Sequence, residues 1–186
     1  INLQEFNFEQ INKLTWTIPS GEIAIKVYYS KMPAYVKLTG IGVDPGRNFG
    51  IATLDGKEAW IFVGSLPKEE EKWRYGLAAY ETLSNPTRIY GAGNAVVEGA
   101  AFKEPYGQTD LAHVRMGFTL GLYYAGFNVA IVPPATIRAN ALGKGSLGGL
   151  EVWPDLPHNG GDALATAIYA AGVKKGDQIG STDPSA

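Results

Sequence analysis

Three acidic residues sit where carboxylates can be brought together. Asp44 ends an apolar run in GIGVDPGRNFG, Glu98 ends another in AVVEGAAF, and Asp162 lies in the first turn of an apolar helical pattern in NGGDALATA. Gathered carboxylates repel and raise one another's pKa, so such a cluster is poor by itself. Hard divalent cations such as Mg²⁺ or Mn²⁺ make it favourable. Two such ions about 4 Å apart can activate a water and stabilise an oxygen leaving phosphorus. Each acid also has an ordinary reading. Asp44 fits a plain Asp-Pro-Gly turn, and Glu98 a solvated strand end. Asp162 fits a helix start, with Asn159 as cap and Asp162 three residues on.

The elements that would position these acids follow from patterning. KLTWTI and IAIKVYY alternate around PSGE, which predicts a β-hairpin within an N-terminal extension, residues 1–33, closed by Pro33. YVKLTGIGVD, NFGIATLDG and KEAWIFVGS predict three strands whose short connections require an antiparallel meander. SLPKEEEKWRYGLAAYETLSN predicts a helix capped by Ser65, with Pro67 and Glu69 to Glu71 in its first turn and Trp73, Leu77 and Tyr80 at helical spacing. NAVVEGA and NVAIVPP predict short buried strands. TDLAHVRMGFTLGLYYAG predicts a helix from Thr109 to Gly126, ATIRANALG a short helix stopping at Gly143, and NGGDALATAIYAAGVKK the last helix. LGGLEVWPDLPH, with two Gly and two Pro, predicts a loop. Three antiparallel strands followed by alternating helix and strand give an α/β fold, a mixed five-stranded sheet flanked by helices. The domain would span residues 34–175, and 176–186 a mobile tail.

Composition narrows the function classes. With 45% apolar residues in 186, a core can form, and no run of about 18 apolar residues predicts a membrane span. The opening INLQEFNFEQINK is too polar for the apolar part of a signal peptide. The absence of Cys excludes disulfides and thiolate metal sites. A formal net charge of −2 weighs against a general nucleic-acid coater and requires any such binding to be local.

The segments GIGVDPGRNFGIATLDG, AVVEGAAF, VRMGFTLGLYYAGFNVAIVPPATIRANALGKGS and GGDALATAIYAA, in this order across about residues 36–173, resemble the RuvC family of Holliday junction resolvases, within the RNase H-like superfamily. The compact form and the additional N-terminus point to a phage-type member. The resemblance implies an RNase H-like fold and a homodimer. The activity it implies is cleavage of four-way DNA junctions by paired nicks that leave 5′-phosphate and 3′-hydroxyl ends. It further implies two Mg²⁺ or Mn²⁺ ions per active site, a branch-migration helicase as a further partner, and a location in the bacterial cytoplasm, or in the host's for a phage-encoded protein.

Asp44, Glu98 and Asp162 take the family's metal-ligand positions. The family's fourth ligand, an Asp or His three residues before the last aspartate, falls on Asn159, with His158 beside it. An Asn oxygen can ligate Mg²⁺ but brings no charge and cannot act as a base. Register places Asn159 ahead of His158, although His158 and Asp162 would share a face of a helix that began early. Phe102 falls where the family places an aromatic at the junction centre, where stacking is worth roughly 1–3 kcal/mol; a core Phe is the alternative. Lys103, Arg115, Arg138 and Lys144 lie in stretches that would face DNA, opposed there only by Glu104 and Asp110. Arg47 either approaches the scissile phosphate or flanks the turn. Met116, Leu120, Tyr123 and Tyr124 form a stripe that ordinarily belongs to a core, and the resemblance implies that this helix is shared in the dimer.

Other readings remain open on the sequence. The same carboxylates would serve a nuclease of branched DNA or of RNA, or persist in a module that binds junctions without cutting. DPGRNFG also resembles the first phosphate motif of the actin and sugar-kinase superfamily, a fold that needs two such domains and a longer chain. GKGS around Lys144 lacks the earlier glycine and the following Ser/Thr of a Walker loop.

Overall fold

The computed structural model describes residues 8–18, 21–31, 39–55, 58–84, 93–100, 109–154 and 156–172. The chain runs β1 (Phe8–Ile18), β2 (Gly21–Lys31), β3 (Thr39–Asp44), β4 (Asn48–Asp55), β5 (Glu58–Ser65), α1 (Lys72–Ser84), β6 (Asn94–Glu98), α2 (Thr109–Tyr124), β7 (Asn128–Val132), α3 (Pro134–Ala141), α4 (Gly149–Val152) and α5 (His158–Ala170). Strands β3 to β5 form the expected antiparallel meander, and β6 and β7 add in parallel beside β3. These five strands, with helices on both faces, make the expected mixed α/β sheet.

The hairpin does not stand apart from this sheet. Strand β2 pairs antiparallel with β5 from Lys26↔Val63 to Lys31↔Glu58, so one sheet runs β1-β2-β5-β4-β3-β6-β7. The free backbone edge of β5 accounts for this, since an unpaired edge is a template for a further strand. Pro33, Gly56 and the segments expected as a tail and as the end of the last helix, residues 173–186, lie outside the described residues.

Alternation along the strands separates two cores. Ile41 and Val43 of β3, Phe49 and Ile51 of β4, and Ala95 and Val97 of β6 pack against Tyr75, Ala78 and Leu83 of α1 and Val114, Phe118 and Leu122 of α2. The rings of Phe49 and Phe118 meet at 5.2 Å, tilted by 56°. On the other face Ala52, Ile61 and Val96 pack against Ile137 and Ala141 of α3 and most of α5. By the period of two, Gly40, Gly42 and Asp44 share this second face, as do Val96 and Glu98.

Two helix boundaries differ from expectation. Helix α1 begins at Lys72, not after Ser65, which is the last residue of β5. Residues 66–71 are held as a strap instead. Leu66 N–H donates to the Arg47 carbonyl at 2.7 Å, and Glu69 N–H to the Tyr75 hydroxyl at 3.1 Å. Glu69 to Glu71 therefore precede the helix. The segment expected as a loop before the last helix contains the single turn α4, whose Gly148 N–H donates to the Glu151 carboxylate.

Helix ends elsewhere follow the sequence. Gly126 (φ 96°) and Gly143 (φ 83°) lie just beyond α2 and α3 in the left-handed region that glycine tolerates. No helix among the described residues is long and apolar enough to cross a membrane.

Candidate metal and phosphate site

Strands β3 and β6 run parallel with Val43 beside Val97, so the residues that follow, Asp44 and Glu98, end neighbouring strands at the same edge. Helix α5 lies close across this edge because Gly40, Gly42 and Gly50 beneath it carry no side chain. A Cβ on Gly42 would collide with the backbone of Ala163, Thr166 and Ala167, and one on Gly40 would stand 2.7 Å from the Ala167 carbonyl. A Cβ on Gly50, the partner of Asp44 across β3 and β4, would come closer still to the Asn159 carbonyl. The glycines of GIGVD and NFG thus set the depth of α5, and that depth brings Asp162 to the strand ends.

Asp162 is buried, 3% exposed, and both of its carboxylate oxygens are occupied. Gly149 N–H donates to Oδ1 at 2.7 Å. Oδ2 lies 3.5 Å from Arg138 Nη2 and 3.6 Å from His158 Nδ1. The Gly149 contact depends on a close crossing of α4 and α5, in which a Cβ on Gly149 would meet the backbone at Gly161.

The electrostatics of Asp44 report the gathering of charge. Its carboxyl is pushed well above the usual range, first by burial, then by the charges of Glu98 and Asp162, with Arg138 opposing. The three acids therefore share one field, with a guanidinium beside them.

Helix α5 starts at His158, with Pro157 at its N-cap. Asp162 accordingly sits beyond the first turn, and Asn159 is inside the helix, so the reading of these two as a capping pair does not hold. Asn159 turns to β4, its Nδ2 donating to the Asn48 carbonyl at 2.8 Å. His158, four residues before Asp162, is the side chain beside the carboxylate. The helix start at His158 puts His158 and Asp162 on one helix face, as the sequence allowed for a helix that began early.

The basic residues divide. Arg138 faces Asp162, and Arg115 Nε, from α2, donates to the Glu98 backbone carbonyl at 3.0 Å. Arg47 is exposed and lies over the Tyr75 ring at 5.4 Å, while its carbonyl holds Leu66. Lys144 is exposed just after α3. Phe102 and Lys103 lie outside the described residues.

Sequence reasoning missed the Gly149 donor and the Arg138–Asp162 pair. Both come from long-range packing of α3 and α4 on α5, for which the only local sign was the run of small residues in LGGLE and NGGD.

No family model matches the chain. A stretch of 64 residues is 38% identical to the E subunit of the glutamyl-tRNA(Gln) amidotransferase of Pyrobaculum arsenaticum, and 56 residues are 39% identical to that of Pyrobaculum islandicum. These stretches cover 34% and 30% of this chain but 10% and 9% of those proteins, so the chain spans about a tenth of the length of the curated relatives it matches. Among solved structures it is similar to Thermus thermophilus RuvC, with 21% identity over 69% of this chain and 90% of that one and a TM-score of 0.47. It is also similar to T. thermophilus RuvC in complex with a Holliday junction substrate, with 19% identity over 70% and 90% and a TM-score of 0.46. At this level of likeness nothing about the site passes from those proteins to this one.

The donor set suits a divalent cation. It offers hard oxygens from two strand ends and one helix, with the charges of Glu98 and Asp162 raising the pKa of Asp44, and a guanidinium beside Asp162. As placed, no three His, Cys, Asp or Glu side chains among the described residues stand close enough to hold an ion.

Proposed function

We propose that this chain is a metal-dependent, structure-selective endonuclease that resolves four-way DNA junctions. The observation that supports the reading is the placement of Asp44 and Glu98 at the ends of neighbouring parallel strands, with the charges of Glu98 and Asp162 bearing on Asp44, and the sequence resemblance gives the substrate. Asp44, Glu98 and Asp162 would hold Mg²⁺ or Mn²⁺, with His158 at hand as the fourth group and the Asn159 oxygen as its alternative. Bound there, the ions supply an activated water for attack on phosphorus and charge to stabilise the departing 3′ oxygen.

The chain's own residues do the positioning. Gly149 N–H fixes one oxygen of Asp162, which leaves the other facing Arg138 and His158. Arg115, by holding the Glu98 carbonyl, fixes the end of β6. Arg138 brings a cation within reach of a phosphate at the acid cluster, and Lys144 and Arg47 carry positive charge on the surface around it.

Symmetry would come from a second copy. The stripe Met116, Leu120, Tyr123 and Tyr124 is exposed on α2, as are Trp73 and Leu77 of α1. These two helices bury their opposite sides instead, closely packed through Gly76 and Gly117. Between the outward sides lies a groove of about 410 Å³. A two-fold pair meeting there would present two sites to the two strands of a junction. L120E is expected to weaken that pair by about 2 kcal/mol or more, leaving a monomer in light scattering. An unchanged mass would place the dimer contact elsewhere.

The deciding experiment is Mg²⁺-dependent cleavage of a synthetic four-way junction, with cuts mapped on every strand. Paired, symmetric nicks are expected, with linear duplex and an RNA–DNA hybrid left intact. Preference for the hybrid would move the reading to RNA processing. Tight junction binding without cleavage in either Mg²⁺ or Mn²⁺ would make the chain a binding module.

A further inference from the structure

We propose that Lys13 and Lys26 of the N-terminal hairpin contact the sugar–phosphate backbone of a duplex DNA arm, in line with the strand ends that carry Asp44 and Glu98. The proposal rests on the reading of the chain as a junction-binding protein and adds a contact surface to it. It needs no metal ion. The resemblance described above begins at about residue 36, so β1 and β2 lie outside it.

The register of the sheet carries the inference. Val43 pairs with Val97, so Glu98 stands next to Asp44. Asp44 pairs with Gly50, Gly50 with Val63, Val63 with Lys26, and Lys26 with Lys13. Residues paired across strands share a face, so one row crosses the sheet with two acids at one side and two lysines at the other. The face is that of α5, since Val63 packs with the α5 core and Gly50 lies under Asn159. The first turn of α5 covers the middle of the row, where a Cβ on Gly160 would stand 3.2 Å from Ile61 Cγ2 and 3.3 Å from Val63 Cγ1. The acids therefore lie before that turn and the lysines beyond it.

Charge and spacing fit a duplex. Lys13 and Lys26 are directly opposed, and like charges so placed are unfavourable in a sheet. An anion across the pair relieves the repulsion. The hairpin's acid on this face is Glu22, two pairs nearer the turn and opposite Thr17. The net charge of −2 requires nucleic-acid binding to be local, and this pair is such a locality. Neighbouring strands lie about 4.8 Å apart, which puts Lys26 roughly 14 Å and Lys13 roughly 19 Å from Asp44 along the row. Each strand of a duplex carries a phosphate for about every 3.4 Å of axis. An arm lying along the row would meet the lysines about four to six base pairs from the phosphate at Asp44.

Two measurements test this on the full chain. Binding of a synthetic four-way junction and of a linear duplex is followed in EDTA across a salt series. For the junction, K13Q/K26Q should lower the slope of log affinity against log salt by about 1.8, or about 0.9 for each lost phosphate contact. Its affinity at about 0.1 M salt should fall about tenfold. K13R/K26R keeps the charge, should keep the wild-type slope, and is the folding control. K31Q removes the same charge from the opposite face, where Lys31 pairs with Glu58, and should change neither slope nor affinity. The second measurement is phosphate ethylation interference on wild type, which should mark one arm about four to six base pairs from the mapped nick. A slope unchanged in K13Q/K26Q, or lowered equally by K31Q or by K13R/K26R, overturns the proposal, as does an arm without interference at that distance. Failure of the underlying reading looks different. Wild type would then bind the junction no more tightly than linear duplex, with the lysine effect equal on both. A wild type that binds neither removes the proposal and the reading together.

Discussion

Replacing Asp44 by Asn is expected to abolish junction nicking while leaving junction binding intact and raising thermal stability in the absence of metal. The catalytic loss should be about 10³-fold or more, since a ligand that helps place charge on the transition state is worth about 4 kcal/mol. The gain in stability follows from the same carboxyl. Burial and the charges of Glu98 and Asp162 hold its pKa above the ordinary value, and Arg138 offsets this only in part. The folded protein therefore keeps the proton to higher pH than the unfolded chain, and the ionised form at neutral pH is a cost to folding. That cost is absent below the ordinary aspartate pKa. It grows as pH rises toward the raised value and is complete above it. Asn removes the ionisation, so the difference in Tm between D44N and wild type should be largest near pH 7.5 and shrink as pH falls. Mg²⁺ should raise the Tm of wild type and leave D44N nearly unmoved. Junction cleavage by D44N at the wild-type rate would end the nuclease mechanism. A lower Tm for D44N at pH 7.5 would show that Arg138, not burial, dominates the energetics of Asp44.

What could be read in advance follows how local each cause is. The meander of β3 to β5, the parallel β6 and β7, and the ends of α2 and α3 at Gly126 and Gly143 depend on turn chemistry and periodicity within about ten residues, and the sequence carries both. Asp44 and Glu98 were legible for the same reason, since strands that end in acids place them at one edge once the strands are neighbours. The start of α1 was not. Ser65, Pro67 and three glutamates form a good local helix signal, but Leu66 and Glu69 are bonded to Arg47 and Tyr75, and these longer contacts keep the segment extended. The outward side of α2 stayed open on the sequence because a stripe of Met, Leu and Tyr has the same period whether it is buried or exposed; only the close packing of α1 on α2 at Gly76 and Gly117 and of both on the sheet decides it. His158 and Asn159 differ by a single residue of helix start, and that boundary is decided by Pro157.

Gly42→Ala should be among the most damaging small substitutions at the described glycines. The residue lies in the middle of β3, where alanine is ordinarily harmless, and it carries neither charge nor hydrogen-bonding side chain. Its added methyl would nevertheless fall on the backbone of Ala163 to Ala167 in α5. A flexible side chain could yield to such an intrusion, but helix backbone packed on a sheet cannot, because every neighbouring turn would have to move with it. The expected cost is about 3 kcal/mol or more, at the upper end for overpacked cores. For a chain of this length that corresponds to a fall in Tm of roughly 10 °C. Function should suffer beyond stability. Lifting α5 carries Asp162 away from Asp44 and Glu98, so nicking should fall even at temperatures where the variant is fully folded. Gly148→Ala provides the comparison, since a Cβ there first meets the Glu151 carboxylate at 3.4 Å and no backbone. It should keep its Tm within about 2 °C, as expected for a substitution that creates no overlap. If the Gly42 variant melts with wild type and still cuts, the depth of α5 over β3 is not what brings the carboxylates together.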